Sequence, residues 1–246
     1  MKNWPEEAYE WYREACDMFN YPAGPYGEQI KALIASDDTV LDLGCGIGAA
    51  SIMISPWCKR VIALDQDENA LRCLSDRARD CGISNIETLH ESWPLSQPIK
   101  ADVVIALHVA QVMRSFSNLK LVFESANKGG FIGCQAPVSR QDEPFCELKE
   151  ELCITANYEK CDNGCYIRGA LEALGASVTC KKNVYEFGQP LKTQEEAVRF
   201  ISWQTGAKDS MAQTIEKHLD RYVVKTSGGY LVPITRQTCG ISFFCA

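Results

Sequence analysis

Long apolar runs are missing from this 246-residue sequence. None approaches the ~18 residues that cross a bilayer as a helix, so no membrane partner is expected. The opening segment, MKNWPEEAYEWYREAC, lacks the basic-then-apolar order of a secretory signal, and the expected compartment is the cytoplasm. Basic runs are also missing. The formal net charge is -7, and Lys181–Lys182 is the one adjacent basic pair in the second half of the chain. A phosphate backbone is gripped by stripes of Lys and Arg, so no nucleic-acid partner is expected. There are thirteen cysteines, yet no C-x-x-C. Zinc-type spacing is absent. Cys161 and Cys165 begin like an iron–sulfur C-x-x-x-C-x-x-C, but Arg168 stands where the third thiolate belongs. No metal is expected. The alternative left open is a discontinuous thiol or soft-metal site from Cys134, Cys146, Cys153, Cys161 and Cys165. Without a secretory signal the cysteines read as reduced, small, buried residues rather than a disulfide framework.

What is present is a chain 46% hydrophobic and 23% charged, enough for one large folded domain and no internal repeat. Residues 4–19 have helical spacing at Trp4, Ala8, Trp11, Tyr12, Ala15 and Phe19. A Pro- and Gly-rich break follows, then a second helix over about 27–36. From there strands and helices alternate. TVLDLG is the first strand, 48–56 a helix, RVIALD (60–65) the second strand, and 67–81 a helix capped by Asp67 and stopped by Gly82. NIETLH (85–90) and ADVVIAL (101–107) follow as strands. A helix over 116–127 is expected to stop at Lys128-Gly129-Gly130, before a strand at 131–136. Such alternation predicts an α/β fold with a parallel sheet covered on both faces. Beyond Pro137 the expected elements are a helix at 166–174, a strand at 177–187, helices at 194–204 and 209–223, and a strand-rich end over 230–246. The whole reads as a single domain, 1–246, with an N-terminal helical cap at 1–36 and a core at 37–136. Helical insertions at 137–165 and 188–229 are the expected specificity elements.

The chemistry sits in VLDLGCGIGAASIMISPWCKRVIALDQDENAL, residues 40–71. Gly44, Gly46 and Gly48 follow a strand directly, and Asp65 lies 21 positions after Gly44. That spacing suits a dinucleotide as well as another nucleoside cofactor. Charge separates the two. Asp42 stands two residues before the first glycine, and Asp67 and Glu68 follow Asp65 closely. Carboxylates disfavour the anionic pyrophosphate of a dinucleotide, whereas they suit a ligand carrying an ammonium and a sulfonium.

The acid-x-G-x-G-x-G run Asp42-Leu43-Gly44-Cys45-Gly46-Ile47-Gly48, with VIALDQDENAL after it, resembles the first two strand motifs of the class I S-adenosylmethionine-dependent methyltransferases. The resemblance covers roughly 26–136. It implies a Rossmann-like doubly wound sheet of about seven strands in the order 3-2-1-4-5-7-6, mostly parallel with an antiparallel last strand. It implies S-adenosyl-L-methionine as cofactor. Gly44, Cys45, Gly46 and Gly48 would lie against its methionine and ribose portions. Asp42 would organise the ammonium end, Asp65 would bond the ribose hydroxyls, and Gln66 would flank the adenine. Glu91, Ser92 and Trp93, after the third strand, fall near the adenine position. Leu107 and His108, ending the fourth, would face cofactor and substrate.

Displacement at a sulfonium needs alignment first and a base only where the acceptor loses a proton. His108, at the carboxyl edge of the sheet, is the candidate base. Tyr9, Tyr12, Tyr21 and Tyr26 of the cap are candidates for a substrate-lining role, though aromatics at helical spacing also serve as core. The Asn/Asp-Pro-Pro-aromatic run of amine-methylating DNA enzymes is replaced here by Ala106-Leu107-His108-Val109, and the Pro-Cys pair of cytosine-methylating enzymes is absent. The expected function is methyl transfer to a small-molecule acceptor. A thiol, metalloid or protein side chain is the alternative acceptor, and a nicotinamide-dependent oxidoreductase or a non-catalytic cofactor-binding module is the alternative class. Asp65→Ala is expected to cost about 1.5–3 kcal/mol in S-adenosylmethionine binding, read by calorimetry; unchanged affinity would remove Asp65 from the ribose.

Overall fold

The computed structural model describes residues 4–137, 144–154 and 162–245. In chain order the elements are α1 (Glu6–Met18), α2 (Ala23–Lys31), β1 (Thr39–Leu43), α3 (Ala49–Ile54), β2 (Arg60–Asp65), α4 (Glu68–Asp80), β3 (Ile86–His90), β4 (Ala101–Leu107), α5 (Ala110–Met113), α6 (Phe116–Ser125), β5 (Ala126–Gln135), α7 (Cys146–Glu151), α8 (Asn163–Ala173), β6 (Ser177–Glu186), β7 (Gln189–Leu191), α9 (Gln194–Thr205), α10 (Ala212–Lys217), β8 (Val224–Thr226), β9 (Gly229–Val232) and β10 (Thr235–Phe244). Two compact units result. One comprises Pro22–Ala136, Asp162–Asn183 and Gln237–Ala246; the other comprises Met1–Tyr21, Pro137–Cys161 and Val184–Arg236. No described helix is long and apolar enough to cross a membrane.

The first unit is built on a seven-stranded sheet in the order β3-β2-β1-β4-β5-β10-β6. Strands β3 to β5 run parallel, and β10 lies antiparallel to β5 with Ile241 opposite Ile132. This is the order that the motif resemblance implies, with the late strand β10 inserted between β5 and β6. The central strands β1 and β4 are apolar almost throughout because helices cover both faces. Leu41, Leu43, Leu64, Val104, Ile132, Ile167, Ile241 and Phe243 belong to one buried cluster. Helix α4 shows how local sequence sets an element. Asp67 caps it by accepting from the amides of Asn69 and Ala70, and Ala70, Leu71, Leu74 and Ala78 form its buried face. Gly82, at φ +67°, follows its end.

In this unit the boundaries of α2 and β5 differ most instructively from the sequence pattern. Helix α2 starts at Ala23, not near 27, because Gly24 and Pro25 fall in the first turn, where backbone amides lack intrahelical partners and proline is tolerated. Strand β5 starts at Ala126, so Lys128, Gly129 and Gly130 lie inside it instead of ending a helix. The reason is steric. A Cβ at Gly130 would stand 2.2 Å from the Val104 carbonyl oxygen and 2.8 Å from the Phe243 ring. These glycines let an aromatic ring close over a central strand.

The second unit has its own core, in which Ala8, Trp11, Leu148, Leu191, Phe200, Ile201, Ile215, Leu219 and Val232 pack together. It contains a three-stranded antiparallel sheet, β7-β9-β8. The expected helix over 209–223 is instead a 3-10 turn at Asp209–Met211, the short α10, and a second 3-10 turn at Leu219–Arg221. Its apolar face survives: Ile215, Leu219 and Val223 are all buried. The strand-rich end resolves into β9 and β10. Parts of the 137–165 insertion lie outside the described residues, as does Cys161.

Gly130→Ala is expected to lower stability by about 1–3 kcal/mol in urea unfolding, as an overpacked core does. A change within experimental error would show that β5 and Phe243 yield to a methyl group.

Candidate functional site

The carboxyl ends of β1, β2, β3 and β4 meet above the glycine turn. Gly44, Gly46 and Gly48 all take positive φ, at +65°, +54° and +80°. Glycine is required for two different reasons. A Cβ at Gly48 would stand 2.0 Å from Leu74 Cδ1, so the turn is pressed against α4. A Cβ at Gly46 would meet nothing within 4 Å, so the turn is open on that side and backbone is its only lining there. Helix α3, following the turn, has six residues and is shorter than the 48–56 expected.

Asp65 organises this edge. Its Oδ2 accepts from the Gly46 amide at 2.8 Å and its Oδ1 from the Asp67 amide at 2.9 Å. A carboxylate has about four lone-pair positions, which leaves room for further donors on the same oxygens. The amides of Gly44 and Cys45 donate to the Leu64 carbonyl at 2.8 and 3.0 Å, and the Glu91 amide donates to the Asp65 carbonyl at 3.1 Å. Gln66 is exposed, and its carbonyl accepts from His90 Nε2 at 3.0 Å. Glu91 and Ser92 are exposed at the same edge, whereas Trp93 is 7% exposed and joins the apolar cluster.

Asp42 lies beneath the turn, 1% exposed. Its Oδ2 accepts from Ser51 Oγ at 2.6 Å. Burial raises its pKa from 3.8 to about 6; the Ser51 bond opposes the rise and the nearby Asp65 charge adds to it. Cys45 is buried, and its thiol is pushed far up, by desolvation first and then by Asp42 and Asp65. It stays protonated and is not a nucleophile at neutral pH. The site is therefore an acidic cradle, and among the described residues no basic side chain bonds its two central carboxylates. Its donor set fits a nucleoside that carries positive charge.

Leu107 ends β4, half-buried, and His108 follows it, exposed, at φ +58°. Left-handed backbone costs a non-glycine residue about 1–2 kcal/mol. The surroundings hold it there: the His108 amide donates to the Gly133 carbonyl at 2.8 Å, and its Nε2 lies 3.1 Å from Tyr26 Oη. Tyr26 has no exposed surface. Its hydroxyl also donates to Thr238 Oγ1 at 2.8 Å. The residue expected to line a pocket is thus a buried support behind His108. In the second unit, Tyr12 forms part of the wall of a cavity of about 180 Å³ with Trp4, Trp11, Phe187, Phe200 and Trp203. Tyr9 packs against Trp4, and Tyr21 is buried against Tyr185 and Phe187. Burial raises the Tyr12 and Tyr21 hydroxyls well above their ordinary range. Among the described residues no group of three or more His, Cys, Asp or Glu is placed to hold a metal ion.

Ser51 and Thr238 escape a reading of the sequence. Ser51 follows an unremarkable pair of alanines, and Thr238 lies 212 positions from its partner.

Residues 40–130 match a family model described as a methyltransferase domain. Among curated proteins, the ribosomal protein L11 methyltransferase of Klebsiella pneumoniae is 31% identical over 143 residues, covering 57% of this chain and 47% of that protein. Its Escherichia coli counterpart is 30% identical over 119 residues, covering 48% and 40% respectively. The chain thus spans about half the length of these curated relatives, or less. Two crystal structures share the fold: the YcgJ protein from Bacillus subtilis, with TM-score 0.56, 17% identity and coverage of 89% of this chain and 96% of that one, and a SAM-dependent methyltransferase from Aquifex aeolicus, with TM-score 0.53, 12% identity and 98% of each chain. Over residues 40–130 the chain is thus similar to a methyltransferase domain, and its seven-stranded sheet shares the fold of those two structures.

The Asp42 pKa has a measurable consequence. Between pH 3.8 and about 6 the native chain keeps a proton that the unfolded chain has lost. Its contribution to stability is therefore full below pH 3.8, declines as the pH rises to about 6, and is absent above that. The difference is worth at most about 3 kcal/mol. Asp42→Asn is expected to stabilise the ligand-free protein by about 1–3 kcal/mol at pH 8, with the gain vanishing near pH 4, in urea unfolding at both values. Equal effects at the two pH values would mean that Asp42 is not a strained ion.

Proposed function

We propose that this protein transfers a methyl group from S-adenosylmethionine to a small-molecule acceptor by direct displacement. The observation that carries the reading is the buried carboxylate of Asp42 under an open glycine turn, with Asp65 beside it. When bound, the cofactor supplies an electrophilic methyl group on a cationic sulfur. The chain's contribution is to hold and to align. Gly44, Cys45 and Gly46 present backbone along the ligand, and Gly48 lets the turn sit against α4. Asp42 provides negative charge for the ammonium end, while Asp65 offers its remaining lone pairs to the ribose hydroxyls. Gln66, Glu91 and Ser92 border the adenine, and Trp93, buried in the apolar cluster, supports that edge from beneath. Leu107 and His108 face the methyl group, and His108 removes the acceptor's proton.

A small acceptor is favoured by the net charge of -7 and the lack of any basic run. The sequence match to enzymes named for a ribosomal protein supports a second reading, a protein side chain as acceptor.

Calorimetric titration is expected to show micromolar binding of S-adenosylmethionine and S-adenosylhomocysteine and none of NADH. Radiolabelled methyl transfer to a panel of thiols, amines and hydroxyl compounds is expected to exceed transfer to ribosomal protein L11. His108→Gln is expected to lower kcat about 10²–10⁴-fold with S-adenosylmethionine affinity unchanged. Labelling of the ribosomal protein alone would move the acceptor to a protein side chain.

A further inference from the structure

Three cysteines scattered along the sequence form one row across the sheet. Cys134 on β5 and Cys239 on β10 are directly opposite each other in an antiparallel pair. Residues so paired share a face of the sheet, with Cα atoms about 4.5–5.5 Å apart. On the other side of β10 lies β6, the edge strand, which carries Cys180. The Cys180 and Cys239 thiols are hydrogen-bonded to one another. Cys134 is wholly buried, Cys239 is nearly so, and Cys180 is exposed. The row thus runs from the core to the surface, and all three are free thiols.

Other cysteines are held differently. The Cys58 and Cys245 thiols donate to the carbonyls of Ile54 and Ala126. Exposed Cys165 is bonded to the Asp162 carboxylate, which raises its pKa. Cys239 instead faces a second thiol, with α8 close against it: a Cβ at Gly164 would stand 3.1 Å from its sulfur. Burial pushes the Cys239 and Cys134 thiols up, so neither is suited to attack first. Cys180 meets solvent, and exposed Lys181 and Lys182 follow it along β6, where their charge attracts an anionic reagent.

We propose that Cys180 and Cys239 form a thiol–disulfide exchange site that takes a small, carboxylate-bearing disulfide as its oxidant. Cys180 loses its proton to solvent and its sulfur attacks one sulfur of the reagent. The reagent's sulfur–sulfur bond breaks, and one small thiolate leaves and takes up a proton. Cys239 then gives up its proton and attacks the Cys180 sulfur, releasing the second small thiol. The protein dithiol loses two electrons, and the reagent gains them as it becomes two thiols. The product is a cross-strand bridge that ties the edge strand β6 to β10. An edge strand presents unpaired backbone groups to other chains, and the bridge holds this one in its own sheet.

Purified protein is incubated with oxidised glutathione, alkylated under native conditions and mapped by peptide mass spectrometry. The wild type is expected to give a linked Cys180–Cys239 peptide pair, reversed by excess reduced glutathione. Cys239→Ala is expected to trap glutathione on Cys180. Cys180→Ser is expected to slow the loss of the Cys239 thiol about tenfold or more, and Cys165→Ser to leave it unchanged. The oxidised wild type is expected to unfold at a higher urea concentration than the reduced protein, because the bridge closes a loop in the unfolded chain, and Cys180→Ser to abolish that difference. An equal urea midpoint for reduced wild type and reduced Cys180→Ser checks that the variant folds. Bridging of Cys239 to Cys134, or equal loss of the Cys239 thiol with and without Cys180, would overturn the proposal. So would glutathione on exposed Cys81 and Cys153 without any Cys180–Cys239 bridge.

Discussion

The carboxylate of Asp65 is the point on which the glycine turn depends. It stands at the last position of β2 and receives amides from both sides, Gly46 of the turn and Asp67 of the next segment. The backbone of the same strand end continues the work. The Leu64 carbonyl takes the amides of Gly44 and Cys45, and the Asp65 carbonyl takes that of Glu91. One strand terminus thus ties the turn after β1, the cap of α4 and the exit of β3 into a single edge. Three positive-φ glycines would otherwise be a costly, mobile loop, because glycine loses the most freedom on folding.

The same edge stores free energy. Asp42 is buried, burial raises its carboxyl to about 6, and hydrogen bonds from Ser51 oppose that rise and favour the ion. An uncompensated buried charge works against folding, and the proposed cationic ligand would offset it. His108 follows the same logic in the backbone, with a left-handed φ held by Gly133 and Tyr26. Where local preference and the observed conformation disagree, a site for chemistry is the usual reason.

Much of the core was legible because its signals are local. A buried parallel strand is a short apolar run, and the turns between strands require glycine or a capping acid within a few residues. The sheet order came from the motif resemblance, not from periodicity. The helix stop expected at Lys128-Gly129-Gly130 misled because glycine at a helix end and glycine under an aromatic ring look alike in one dimension; Phe243 lies more than a hundred residues away. Helix α2 began early for a related reason, since proline breaks a helix interior yet suits a first turn. In the small sheet β7-β9-β8 only β9 fell within the expected strand-rich end; β7 and β8 were invisible because strands of three residues are too short to show alternation.

By itself the sequence determined the alternating core, the glycine turn and the two acids that frame it, because each is a relation among neighbours along the chain. Tertiary structure alone decided how deeply Asp42 is buried, that Ser51 partners it, and that Tyr26 stands between His108 and Thr238. The Tyr26 contacts join positions 82 and 212 apart, and the Asp42–Ser51 bond, though only 9 positions long, forms inside a core that distant strands and helices close. Desolvation and hydrogen-bond direction depend on the surroundings in space, and no spacing along the chain records them.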